Sequence, residues 1–249
     1  MMREQTVFGP IFSRRLGSSL GINLLPQEGK VCNFDCIYCE CGWNKDGLAD
    51  RTLPTAAQVR EALEAKLSAC RADGTPIDSI TFSGDGEPTL NPDFPAIVDL
   101  TLALRDRYYP KAVVSVLSNA TRAGEEAVFQ ALRKVDKPIL KLDAPTDAGA
   151  ALINKPVGRY HVEDIVRSLE RFEGQFILQT MFLKADTWAT EDWVPEWMAL
   201  VRRLRPREVM VYTIDRETPQ KGLGKYSADE MRALVQPLID EGFNIQIKG

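Results

Sequence analysis

This chain has a single histidine, no long apolar run and no excess of basic charge. One imidazole without companions is not a site. His161 follows Gly158-Arg159-Tyr160 and is expected at a helix start, as a surface or capping residue. No stretch approaches the roughly 20 apolar residues that a membrane-spanning helix needs. The opening Met-Met-Arg-Glu-Gln carries no apolar core of a secretory signal. A net charge of −4 argues against broad nonspecific binding to nucleic acid, which takes many uncompensated Lys and Arg. It leaves room for a local basic patch at Arg14-Arg15, which reads equally as a solvated basic turn. Repeats and low-complexity segments are lacking. The five cysteines, three of them in one loop, fit metal binding in a reducing compartment better than disulfides. A cytoplasmic protein without membrane attachment is expected. The composition, 44% hydrophobic and 27% charged, is ordinary for a globular protein, and 249 residues suit one α/β domain or two small ones.

What stands out is the run Cys32-Asn-Phe-Asp-Cys36-Ile-Tyr-Cys39, with the spacing C-x3-C-x2-C. Three thiolates on adjacent turns can hold three irons of a [4Fe–4S] cube and leave the fourth iron open, whereas an electron-carrying cluster is usually closed by four cysteines. An open iron is a place to bind and reduce a ligand. Zinc is the competing reading. A structural zinc site wants four ligands, usually as two spaced pairs, and Cys41 could supply the fourth from a tight Cys39-x-Cys41 pair.

Short segments rich in Ile, Val, Leu and Phe predict buried parallel strands at Leu20–Leu25, Ser79–Phe82, Val113–Leu117, Ile139–Leu142, Phe176–Phe182, Val209–Thr213 and Phe243–Ile247. Helical patterns alternate with them. Thr55 with Gln58, and Ser227 with Glu230, form capping boxes, and Asn91-Pro92 reads as an N-cap followed by proline in the first turn. Val59, Leu63, Leu67 and Cys70 share one face, which makes Cys70 a buried, inert thiol. Trp193 and Trp197, four apart, read as helix packing. This alternation predicts an α/β fold with right-handed crossovers. Six or seven βα units are too few for the eightfold barrel, so a partial parallel barrel of the (β/α)6 type is expected.

Function in parallel α/β folds gathers at the carboxyl ends of strands. There the sequence places the cysteine loop, then Ser83-Gly84-Asp85-Gly86-Glu87-Pro88, then Ser118-Asn119, Lys141 with Asp143, Gln179-Thr180, and Tyr212 through Glu217. Any one of these could be a chance polar turn; six in succession are harder to dismiss. Gly84 and Gly86 let backbone approach a ligand or take positive φ, and carbonyls there can accept from an ammonium group; a plain glycine turn is the alternative. Lys141 and Asp143 share a face by strand alternation, as an ion pair or as ligand contacts. Asp215 and Arg216 are either substrate contacts or a surface turn.

The cysteine loop resembles that of the radical S-adenosylmethionine (SAM) enzymes. The resemblance implies a [4Fe–4S] cluster on Cys32, Cys36 and Cys39, with SAM chelating the open iron. It implies one-electron cleavage to methionine and a 5′-deoxyadenosyl radical, hydrogen abstraction from a substrate, and a flavodoxin- or ferredoxin-type reductant. Gly84–Glu87 is similar to the GGEP-type motif that holds the amino end of SAM, with Asp85 standing between the glycines. By the same resemblance Tyr38 lies near the adenine, Ser118-Asn119 meets the ribose, and Lys141 pairs with the SAM carboxylate. The expected cofactor contacts are thus Phe34, Tyr38, Ser83, Gly84, Asp85, Gly86, Glu87, Ser118, Asn119 and Lys141, and the catalytic candidates are Lys141, Asp143, Asp215 and Arg216. One radical SAM domain over 1–249 is expected, with an N-terminal extension and first strand (1–26), the cluster loop (27–54) and the remaining βα units (55–249).

The run Val7 through Ile22, with Ser83 through Leu90, Leu142-Asp143-Ala144 and Tyr212 through Arg216, is similar to a small bacterial and archaeal group related to the enzymes that build the tricyclic wyosine base on transfer RNA. Those enzymes hold a second cluster on three further cysteines; here only Cys41 and Cys70 remain, so that cluster cannot be built. Candidate substrates are a nucleoside in RNA, reached with Arg14 and Arg15, or a partner protein or peptide. A non-catalytic zinc or iron–sulfur scaffold is the reading outside enzymes.

Overall fold

The computed structural model describes residues 5–13, 17–27, 29–46 and 51–249. They fall into two compact units. Unit 1 comprises residues up to Cys32, Asn44–Ser118 and Glu125–Pro138; unit 2 comprises Asn33–Trp43, Asn119–Gly124 and Ile139–Gly249.

In unit 1, β1 (Val7–Ser13) runs antiparallel to β2 (Gly17–Ile22), and β3 (Ser79–Phe82) and β4 (Val113–Ser118) follow in parallel. The helices are α1 (Ala56–Ala72), α2 (Phe94–Tyr108) and α3 (Glu126–Lys134). Strand alternation divides β3 cleanly. Ile80 and Phe82 are wholly buried, Phe82 edge-on to Phe94 of α2 at 6.0 Å. Ser79 and Thr81 enter a buried hydroxyl cluster, Thr81 Oγ1 lying 2.9 Å from Ser19 Oγ and 3.0 Å from Ser79 Oγ. The apolar stripe of α1 is buried as its spacing predicts, Cys70 included. Each of Val59, Leu63 and Leu67 contributes about 1.5–3 kcal/mol by leaving water.

In unit 2 all strands are parallel: β5 (Lys137–Lys141, entering the unit at Ile139), β6 (Ile177–Met181), β7 (Glu208–Tyr212) and β8 (Ile245–Lys248). The helices are α4 (Asp147–Ile153), α5 (Val162–Glu170), α6 (Val194–Leu204) and α7 (Ala228–Asp240). Phe182, just past β6, meets Trp197 at 5.5 Å and Tyr226 at 6.1 Å, all three buried.

Both capping boxes form as expected. Three local expectations are corrected. Strand β2 ends at Ile22 because Asn23 Oδ1 accepts from the Leu25 N–H at 3.2 Å and turns the chain before Pro26. Helix α2 begins at Phe94, two residues beyond the proline of the expected cap. Asn91 instead ties Leu24 and Pro54 through its Nδ2, and the Asp93 carboxylate accepts from the Ala56 N–H of α1 at 2.9 Å. Trp193 and Trp197 do not share a helix: Trp193 closes a 3-10 turn and stacks on Trp188 at 5.4 Å, while Trp197 lies in α6.

Candidate active site

At the ends of β3 and β4 in unit 1, the glycine loop is fixed by backbone. Val31 N–H donates to the Asp85 carbonyl at 3.0 Å, and Glu87 N–H donates to the Val31 carbonyl at 3.0 Å. Gly86 sits between them at φ +142°, and a Cβ there would lie 1.8 Å from the Val31 carbonyl oxygen. A Cβ on Gly84 would lie 2.1 Å from Asn23 Oδ1. Gly86 therefore excludes any side chain, whereas one at Gly84 would have to displace the Asn23 amide. Glu87 is buried, and its Oε1 accepts from Thr89 N–H at 3.1 Å, Thr89 Oγ1 at 2.6 Å and Ser118 Oγ at 2.8 Å. That carboxylate braces two strand ends against each other. Cys32 belongs to this unit, and its carbonyl accepts from Asn44 Nδ2 at 3.0 Å.

In unit 2 the cysteine loop is tied along the C-terminal end of α4. Asp35 N–H donates to the Asn154 carbonyl at 2.8 Å, Ile37 N–H to the Ile153 carbonyl at 3.0 Å, and Val157 N–H to the Asn33 carbonyl at 2.9 Å. Cys39 N–H closes a turn on the Cys36 carbonyl at 3.1 Å. Cys36 is buried, whereas Cys39 and Cys41 are half-buried. Burial pushes the Cys36 thiol up to about 11.

Beside Cys36 lies a buried polar network. Asp143 Oδ2 accepts from Tyr38 Oη and, at 2.7 Å, from Asn154 Nδ2. Its Oδ1 accepts from the Met181 N–H at 2.9 Å. Asn154 Nδ2 also reaches Cys36 Sγ at 3.4 Å. Lys141 Nζ stands 3.7 Å from Asp143 Oδ2, on the face that alternation predicts, and donates to Tyr212 Oη at 2.8 Å. It also lies over the rings of Tyr38 and Tyr212, at 5.2 and 5.3 Å. Burial alone would lower the Lys141 pKa, but the Asp143 carboxylate and Tyr212 outweigh it and hold the ammonium above its ordinary value. Burial and the Asp143 charge hold Tyr38 well above the ordinary phenol, so its hydroxyl stays a donor.

The remaining candidates are placed plainly. Phe34 is buried edge-on to Tyr160 at 5.3 Å. Asn119 forms a closed ring with Asn33 and Thr121: Asn119 Nδ2 donates to Asn33 Oδ1 at 2.6 Å, Asn33 Nδ2 to Thr121 Oγ1 at 2.6 Å, and Thr121 Oγ1 to Asn119 Oδ1 at 2.7 Å. Arg216 makes an exposed ion pair with Glu40, between Cys39 and Cys41, at 2.6 Å. Ser83 follows β3, its N–H on the Ile22 carbonyl at 3.1 Å, and Asp215 follows β7. His161 holds the N-cap position of α5, accepting from Arg159 Nε at 3.2 Å and bonding Asp147 at 2.8 Å. Arg14 and Arg15 lie outside the described residues. Asn154 escaped the sequence reading, although an Asn at a helix end before a Lys-Pro pair is a C-cap signal that could have marked it.

The sequence pattern of the radical SAM superfamily matches residues 29–190, a span that takes in all three loop cysteines and the glycine loop. The chain belongs to the radical SAM superfamily. A UPF0026 protein of Helicobacter pylori is 31% identical over 229 residues, covering 90% of this chain and 71% of its own. Among solved structures, a radical SAM methyltransferase from Sphaerobacter thermophilus superposes with a TM-score of 0.66 at 18% identity, over 95% of this chain and 67% of that one. Streptococcus suis SuiB, bound to its precursor peptide SuiA, also gives 0.66, at 14% identity over 92% of this chain. The chain spans about half of SuiB, 48% of its length. The fold class is the α/β partial barrel expected, and as a radical SAM enzyme the protein uses a [4Fe–4S] cluster and SAM.

One donor, Cys36, suits such a cluster by its chemistry. Among the described residues no three His, Cys, Asp or Glu side chains stand within reach of one metal ion. A cube spreads its ligands, each thiolate going to a different iron. A buried thiol that keeps its proton in water's absence is one that a cluster iron deprotonates on binding. No helix among the described residues is long and apolar enough to cross a membrane.

Proposed function

We propose that this radical SAM enzyme holds its cluster through Cys32, Cys36 and Cys39, and that Cys41 and Cys70 take no part. When bound, the cluster and SAM supply a one-electron cleavage that yields a 5′-deoxyadenosyl radical able to take hydrogen from a C–H bond. The observation that carries the reading is the C-x3-C-x2-C loop inside the superfamily match, with Cys36 buried and hydrogen-bonded by Asn154. In this reading Lys141 is the ammonium assigned to the SAM carboxylate, and Phe34, Tyr38, Ser83–Glu87, Ser118 and Asn119 are assigned the remaining SAM contacts. Glu87 and Gly86 act by shaping the loop. Lys141, Asp143, Asp215 and Arg216 remain the catalytic candidates. Structural likeness running through 92% and 95% of the chain supports one radical SAM domain over 1–249.

Two substrate readings have separate support. A nucleoside in RNA is supported by the wyosine-like sequence and by Arg14-Arg15. A partner protein or peptide is supported by the fold shared with peptide-bound SuiB and by the net charge of −4. We place the enzyme in the cytoplasm with a flavodoxin- or ferredoxin-type reductant. The deciding experiment is anaerobic reconstitution with iron and sulfide, followed by reductant and SAM, with 5′-deoxyadenosine read by chromatography. Wild type and Cys41→Ser form it and Cys36→Ser does not. Tight zinc uptake that needs Cys41 would instead establish a four-thiolate scaffold. Crosslinking from cells then separates the substrates, by whether RNA or protein is recovered and whether Arg14→Ala with Arg15→Ala abolishes it.

A further inference from the structure

We propose that Asn154 sets the reduction potential of the cluster by donating a hydrogen bond to Cys36 Sγ, and that Asp143 holds the amide in position for it. This rests on the reading of Cys36 as a cluster ligand.

Asn154 is 2% exposed, and one amide nitrogen serves two acceptors: Asp143 Oδ2 at 2.7 Å and Cys36 Sγ at 3.4 Å. The orientation of the amide follows from chemistry. An ionised carboxylate accepts only, so the NH2 end must face Asp143, and the same end then faces the sulfur. Asp143 cannot swing away, because its Oδ1 is held by the Met181 N–H at 2.9 Å and its Oδ2 by Tyr38 Oη as well. The Asn154 backbone is fixed too, its carbonyl taking the Asp35 N–H at 2.8 Å and its N–H donating to the Ala150 carbonyl at 2.8 Å. Side chain and main chain of one residue thus grip the cysteine loop at two points.

Reduction adds negative charge that spreads onto the ligand sulfurs. A donor aimed at a sulfur binds the reduced form better than the oxidised one and raises the potential. Lys141 and Asp143, 3.7 Å apart, act on the thiol with opposite signs, and the neutral amide is the group in hydrogen-bond contact with it.

The test is a redox titration of the reconstituted full-length protein, read by the EPR signal of the reduced cluster. Asn154→Leu keeps the bulk and removes the donor. We expect its midpoint to fall by the equivalent of about tenfold in the reduced-to-oxidised ratio, about 59 mV for one electron. An unshifted midpoint in a variant with wild-type iron content overturns the proposal. A second measurement needs no variant. Wild type labelled with 15N in the asparagine side-chain amide alone should show a 15N coupling to the reduced cluster by pulsed EPR, and its absence overturns the proposal. Cys36→Ala separates this from the underlying reading. If Cys36→Ala loads iron as wild type does, both fall together. If it fails to load while Asn154→Leu titrates unchanged, the tuning role alone falls.

Discussion

Asp143 is a charge with no exposed side-chain surface, and it is tolerated because every direction from it is answered: Lys141 as counter-charge, Tyr38, Asn154 and the Met181 N–H as donors. Asp143→Ala removes the hub and leaves the Lys141 ammonium on Tyr212 without its counter-charge. Breaking such a pair from one side costs about 3–5 kcal/mol, and urea unfolding should show a loss of that size. Asp143→Asn should lose less, since it keeps an acceptor. A loss below 1 kcal/mol for Asp143→Ala would mean the network is better hydrated than its burial implies. Gly86→Ala meets a backbone oxygen rather than a movable side chain, so we expect a cost of at least about 2 kcal/mol, seen as a lowered melting temperature. The Lys141–Asp143 pair was legible because strand alternation is a two-residue rule. Asn154 was not, because its partner Cys36 lies 118 positions away and no local pattern joins them.

Among the elements, helix ends were the most legible, since a capping box is written in four adjacent residues. Thr55→Ala should cost about 1 kcal/mol by losing the side-chain bond to Gln58 N–H. Ser227–Glu230 adds a pH signature. Lys184 and the Ser227 N–H together lower the Glu230 carboxyl to about 2 from 4.5. A depressed folded pKa stabilises above the unfolded value and fades as pH falls through the folded one. Glu230→Gln should therefore melt earlier than wild type at neutral pH, with the gap closing between pH 4.5 and about 2. A gap that stays constant over that window would assign the effect to packing. Strand β1 was illegible as a strand because Gly9-Pro10 reads as a breaker. In the fold, Pro10 falls where the β1–β2 register shifts between Phe8 and Ile11, a place where a missing N–H is harmless. Asn91 reads as the cap itself, but its Oδ1 accepts from the N–H of Asp93, which holds the N-cap position, while its Nδ2 serves Leu24 and Pro54, distant in sequence.

For the molecule as a whole, charge bears on the choice of substrate. At net −4 the enzyme should show no measurable affinity for bulk RNA at about 150 mM salt. A filter-binding assay with a steep salt slope and tight nonspecific binding would move the substrate reading toward RNA. The alternation of apolar strand runs with helical patterns made the parallel α/β class readable, whereas the ties of Asp35, Ile37 and Val157 along the end of α4 were beyond any sequence rule. Those ties divide the work of holding the cysteine loop. Ordering one residue costs about 1–2 kcal/mol, and around Cys36 the hydrogen bonds of Asp35, Ile37 and Val157 along the end of α4 offset part of that cost without drawing on the cofactor.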